Sequence, residues 1–91
     1  MTQHYMVVEH FHGGNAVPVY ARFRAKGRLA PAGLEYVTSW VTDDLQHCYQ
    51  VMACDDRSLL DEWIAKWSDI VAFDVVPVIS SVEAASRVPP A

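Results

Sequence analysis

Four histidines and a few isolated carboxylates carry most of this chain's chemical potential, and two of the histidines leave one strand together. Val7-Val8-Glu9-His10-Phe11-His12 reads as an apolar strand that stops at Gly13-Gly14. Alternate side chains of a strand share a face, so His10 and His12 are expected to point the same way. Two imidazoles placed so suit metal ligation, proton transfer or the lid of an apolar cavity. His47 opens a later strand-like run, and Asp74 lies early in another. Glu9 and Asp74 are carboxylates set among apolar neighbours, where burial raises a carboxyl pKa. Acid/base chemistry would therefore draw on His10, His12, His47, Glu9 and Asp74.

Each use has a plainer competitor. A stable metal site needs three or four ligands in fixed geometry, and His10, His12 and His47 supply it only if register and sidedness agree. No metal and no cofactor is expected. Imidazoles at a strand end are otherwise half-wet rim residues. Glu9 and Asp74 are otherwise salt-bridge partners of Arg22, Arg24 or Lys66. Tyr36, Trp40, Tyr49 and Met6, with Met52, could line an apolar pocket between sheet and helices. Aromatics on amphipathic strands are more often plain core. Gly13-Gly14 alone makes no phosphate loop, and no Ser-His-Asp or Cys-His arrangement has local support.

The elements that would position these groups follow from patterning. Residues 4–12 form a first strand, with His4, Met6, Val8, His10 and His12 on one face. Asn15 is a helix N-cap, Pro18 fits the first turn and Gly27 ends the helix, which spans 15–26. Residues 34–42 alternate as a strand, placing Leu34, Tyr36, Thr38, Trp40 and Thr42 on one side. Asp43-Asp44 is a turn, and residues 47–54 complete a hairpin. Asp55-Asp56 caps a second helix marked by Leu59, Leu60, Trp63, Ile64 and Trp67 at helical spacing. Residues 70–79 are apolar and β-branched, as in a strand covered on both faces. Pro77 cannot donate to a ladder, so that strand belongs at a sheet edge. Residues 81–88 make a last short helix before Pro89-Pro90.

Bulk properties narrow the field. The chain has 91 residues, enough for one domain spanning 1–91. Its 52% hydrophobic content is high for so small a body and points to surface buried on a partner. A net charge of −4 without a basic stripe argues against nucleic acid. No signal-peptide pattern and no membrane-length apolar run is present, so the expected location is cytoplasmic, with no membrane contact. Cys48 and Cys54 lie six positions apart on one strand, roughly 20 Å, beyond disulfide reach.

The order β-α-β-β-α-β with short connections gives an α+β, ferredoxin-like antiparallel sheet of spatial order 4-1-3-2. The end of its first strand then lies beside the starts of the third and fourth, which gathers His10, His12, His47 and Asp74 at one end. Two helices cover one face of four strands. The other face is also apolar, and a second copy packing sheet to sheet would bury it, as in a dimeric α+β barrel.

Two stretches carry a resemblance that reaches the same place. Gly33-Leu-Glu-Tyr-Val-Thr-Ser-Trp-Val41 and Asp61-Glu-Trp-Ile-Ala-Lys-Trp-Ser-Asp-Ile-Val-Ala-Phe-Asp-Val-Val-Pro-Val78 resemble an uncharacterised bacterial family, domain of unknown function 3303. The resemblance covers nearly the whole chain and implies the dimeric α+β barrel superfamily and a homodimer. It implies no activity. The expectation is a small-molecule ligand in a pocket between sheet and helices. A small cofactor-free enzyme of isomerase or monooxygenase type, and a structural or regulatory dimer without ligand, stand as alternatives.

Overall fold

A computed structural model describes residues 1–91. The elements are β1 (Gln3–Phe11), a 3-10 turn (His12–Gly14), α1 (Val17–Lys26), β2 (Glu35–Val41), β3 (His47–Cys54), α2 (Arg57–Ala65), β4 (Val71–Val78) and α3 (Ser81–Arg87). One antiparallel sheet has the order β2-β3-β1-β4, the expected ferredoxin-like arrangement. β4 is an edge, which accommodates Pro77. No helix is long and apolar enough to cross a membrane.

Local chemistry explains the boundaries. β1 stops at Phe11 because Gly13 takes a left-handed conformation (φ 64°) that most residues avoid. The Asn15 side chain accepts the Val17 N–H, and Asp56 accepts the Ser58 N–H at the start of α2. Ser80 caps α3 by accepting the Glu83 N–H.

The core lies between the sheet and the two crossover helices. Tyr5, Val7 and Phe11 of β1, Cys48 and Met52 of β3, and Val71 of β4 pack against Val19, Leu60, Trp63 and Trp67. Glu9 and Gln50 are the only polar residues buried with them. The opposite face is open. Met6 pairs with Val51 and Val76, Val8 with Tyr49 and Asp74, and His10 with His47 and Ala72. Trp40 joins this face beside Tyr49. α3 buries no residue and leaves Val82 exposed, as is Val88 just beyond its end.

β2 departs from the simple alternation expected of it. Tyr36 pairs with Met52 and Thr38 with Val51, so Val37 is an extra residue, a β-bulge. One inserted residue reverses side-chain parity along the rest of a strand. Tyr36 therefore shares the helix side with Met52, while Trp40 shares the open face with Tyr49.

Candidate functional site

β1 splits the expected acid/base set between two faces. Glu9 and His10 are adjacent, so they project to opposite sides of the sheet. His12 has left the strand for the glycine turn and is exposed, so it does not share the face of His10 as expected. The structure brings His10, His47 and Asp74 together on the open face. His10 Nδ1 lies 2.9 Å from His47 Nδ1, and His10 Nε2 lies 2.8 Å from Asp74 Oδ2. No group of three or more His, Cys, Asp or Glu side chains converges as metal ligands. Asp74 pairs with His10 rather than with Arg22, whose partner is Asp69 at 2.7 Å.

The helix side holds a cavity of about 250 Å³. Phe11, Val19, Tyr20, Phe23, Trp63 and Trp67 supply most of its apolar wall, and Glu9, Arg28, Ser39, Cys48 and Gln50 its polar atoms. Of the four ligand-pocket residues expected from sequence, none lines it. Met6, Trp40 and Tyr49 face the open side of the sheet, the last two because β2 and β3 pair them there. Tyr36 is on the helix side but acts indirectly. Its ring carries the Arg28 guanidinium 3.8 Å from the centroid, and its hydroxyl lies 2.7 Å from the Ser39 hydroxyl.

A fixed polar chain runs along the cavity wall. Arg28 donates to the Gln50 side-chain oxygen, and Gln50 Nε2 donates to Glu9 Oε2 at 2.6 Å. The guanidinium thus sets which way the Gln50 amide faces, and the amide occupies one carboxyl oxygen of Glu9. The other oxygen has no protein partner, and no buried side-chain polar atom is left unsatisfied, so it opens to the cavity. The loop that presents Arg28 is clamped by its own carbonyl, which accepts both the Trp63 and Trp67 indole N–H groups at 3.0 Å. This loop includes Leu29 at φ 65°, a strained conformation for a residue with a Cβ.

The electrostatics follow from burial. Glu9 is 8% exposed, and desolvation pushes its carboxyl up to about 7 against the lowering pull of Arg28 and Gln50. Burial and the nearby Glu9 charge push the Cys48 thiol up to about 12, so it is an inert thiol at neutral pH. Burial also raises the Tyr20 hydroxyl. The wall thus offers one carboxyl near half-protonation, one permanent cation and a ring of aromatics. It can donate or accept a proton, or hydrogen-bond a single polar group on an apolar molecule.

Sequence reasoning missed Arg28 and Gln50. Gln50 carried a signal, since it falls on the buried parity of β3 between Cys48 and Met52. Arg28 carried none, because it lies in a loop outside any period.

Fold and cavity together define a ferredoxin-like α+β protein with an acid-bearing apolar pocket under its helices. The chain belongs to the family described as Domain of unknown function (DUF3303), whose model matches residues 3–91. No curated protein and no solved structure matches it.

Proposed function

We propose that this cytoplasmic protein binds a small, mostly apolar molecule in the cavity between sheet and helices, hydrogen-bonded to Glu9. The observation that carries this reading is the unpaired oxygen of Glu9 in a mostly apolar wall. The volume lies below the roughly 300–1,000 Å³ of sites for drug-sized ligands, so a single-ring molecule with one hydroxyl or carbonyl group fits best. A hydroxyl donates to the Glu9 carboxylate, and a carbonyl accepts from the carboxylic acid.

The test uses p-cresol as the probe on ¹⁵N-labelled full-length chain. Titration should shift the Trp63 and Trp67 indole signals saturably and leave that of Trp40 in place. Cys48→Phe, which fills the cavity, should abolish the response. An unsaturable response, or one centred on Trp40, overturns the reading and leaves the ligand-free structural or regulatory protein.

A second reading draws on the Glu9 carboxyl at about 7. A base poised near working pH suits a small cofactor-free enzyme of isomerase or monooxygenase type. Exchange of the α-protons of cyclohexanone in D₂O should then be accelerated by the protein and lost in Glu9→Gln. No acceleration removes this reading.

The partner we propose is a second copy of this chain, seated on the open sheet face. The strands of that face present Met6, Val8, Tyr49, Val51, Trp40 and Val76 and no lysine or arginine, the composition of an interface centre, and Glu83 and Arg87 of α3 flank only the end near Met6 and Val51. Four strands about 4.8 Å apart and some eight residues long give a footprint of roughly 500 Å² before side-chain relief. Relief at Trp40 and Tyr49 brings this toward the ~800 Å² per partner of a standard interface.

A further inference from the structure

The open face carries a hydrogen-bonded chain that the proposed pocket does not use. Asp74 Oδ2 lies 2.8 Å from His10 Nε2, and His10 Nδ1 lies 2.9 Å from His47 Nδ1. The two imidazoles meet edge to face, with centroids 4.9 Å apart. This chain sits at one end of the apolar face, next to Val8, Tyr49 and Ala72.

Counting protons limits what the chain can hold. An ionised carboxylate only accepts, so His10 Nε2 carries a proton and donates to Asp74. The Nδ1···Nδ1 contact needs one donor and one acceptor. In the neutral pair, His47 Nδ1 donates to His10 Nδ1. When a proton arrives at His47 Nε2, the shared proton moves to His10, and the imidazolium so formed is paired to Asp74. A second proton has no place. It would put donors on both Nδ1 atoms at 2.9 Å and two like charges side by side, so the rings must part.

We infer that the Asp74–His10–His47 chain is an acid-sensitive release for the sheet-to-sheet dimer. The inference rests on the proposed homodimer and adds its regulation. In the closed state the pair adds at most one charge, already matched by Asp74. Separated imidazolium rings would intrude on Val8, Tyr49 and Trp40 and place unmatched charge where the partner presents the same face. The other groups facing the pair are few. Asp44, on the turn before β3, interacts electrostatically with His47 and is held ionised chiefly by its hydrogen bond from Thr42. Tyr49 is on β3, β2 presents Trp40 beside it, Thr42 just after β2 accepts the His47 backbone N–H, and His4 and Glu35 lie at the far end of the face. His12 is on the adjoining turn near Asp69.

The rest of the molecule pushes the other way. The chain carries −4 at neutral pH and has a pI near 5.4, so mild acid lowers the general repulsion between copies. Without the release, acidification should tighten the dimer.

The experiment is equilibrium sedimentation of the full chain at pH 7.5 and 5.0 at one ionic strength. The dimer dissociation constant should rise about tenfold or more at pH 5.0. His47→Gln, which cannot take the second charge, should dimerise at pH 7.5 and lose this rise. Asp74→Asn, which removes the matching charge, should loosen at higher pH than the parent. A parent dimer that is unchanged or tighter at pH 5.0 overturns the release and leaves the dimer. Equal loosening in His47→Gln also overturns the release. A monomer at pH 7.5 overturns the dimer and the release with it.

Discussion

Glu9 is the one carboxylate buried in the core, and its position was half legible from the residues alone. A carboxylate between Val8 and His10 on an apolar strand announced burial and a raised pKa, and both are present. Its partners were not legible, because Gln50 lies 41 residues from it in the chain, and Arg28, which holds Gln50, lies 22 residues from Gln50, distances that only the fold closes. Burial has a thermodynamic sign. The folded carboxyl titrates at about 7 and the unfolded one near 4.5, so the native state holds more protons between these values. Stability from this group is full below about pH 4.5 and is lost as pH rises through 7. A rise from 4.5 to about 7 corresponds to roughly 3 kcal/mol. Glu9→Gln keeps the shape and cannot ionise. Urea unfolding at pH 5 and pH 8 should therefore show the parent losing up to ~3 kcal/mol relative to Glu9→Gln. Parallel stability curves for the two proteins would mean that Glu9 does not titrate in this range. Asp69 acts in a separate window, since its hydrogen bond from Arg22 holds it at about 2 and its contribution disappears only below pH 4.

Elements were more legible than the faces they present. Period-two and helical patterns located all four strands and both crossover helices, and capping residues set their starts within a few positions. What patterning could not show was parity after a disturbance. Val37 adds one residue to β2 and sends Tyr36 and Trp40 to opposite sides, although no glycine or proline marks the place. His12 fails for a similar reason, since the strand ends one residue before it. Met6, Trp40 and Tyr49 thus lie on the other face, while the cavity is lined by the helix side of β1, β2 and β3, by α1 and α2 with Trp67 just beyond it, and by Arg28 of the loop between α1 and β2. That loop's return into β2 is tightly specified. Gly33 has φ 93°, and a Cβ built there would lie 2.9 Å from Leu59 Cδ1 of α2. Gly33→Ala meets both backbone strain and a side-chain clash, so it should destabilise by about 1–3 kcal/mol. Chemical denaturation measures this directly, and a loss below 0.5 kcal/mol would show that the loop can shift without cost.

At the scale of the molecule, the sequence is more apolar than the single chain can use. Hydrophobic residues make up 52% of it, yet only 15 of 91 residues are buried. The chain is a plate 17 Å through its shortest axis, one sheet and one helical layer, and its radius of gyration is 14.7 Å. A compact body of this length has a radius near 12 Å. α3 adds bulk without core, since it buries no residue. A second sheet packed about 10 Å away would supply the missing layer. Trp40 tests this, because it is 75% exposed on the edge strand β2, on the open face beside Tyr49, and contributes nothing to the core of its own chain. If a second copy covers it, Trp40→Glu places two unpaired charges in a two-fold interface, and the dissociation constant should rise at least about a hundredfold. Sedimentation should then report the 10.2 kDa chain where the parent sediments at twice that mass. The fold itself should be spared, with a urea midpoint for the monomeric variant that no longer depends on protein concentration, whereas the parent midpoint should rise with concentration as dimer formation stabilises the native state. A parent midpoint independent of concentration would show that the open face is left to solvent, and Trp40→Glu would then leave mass and stability alike unchanged.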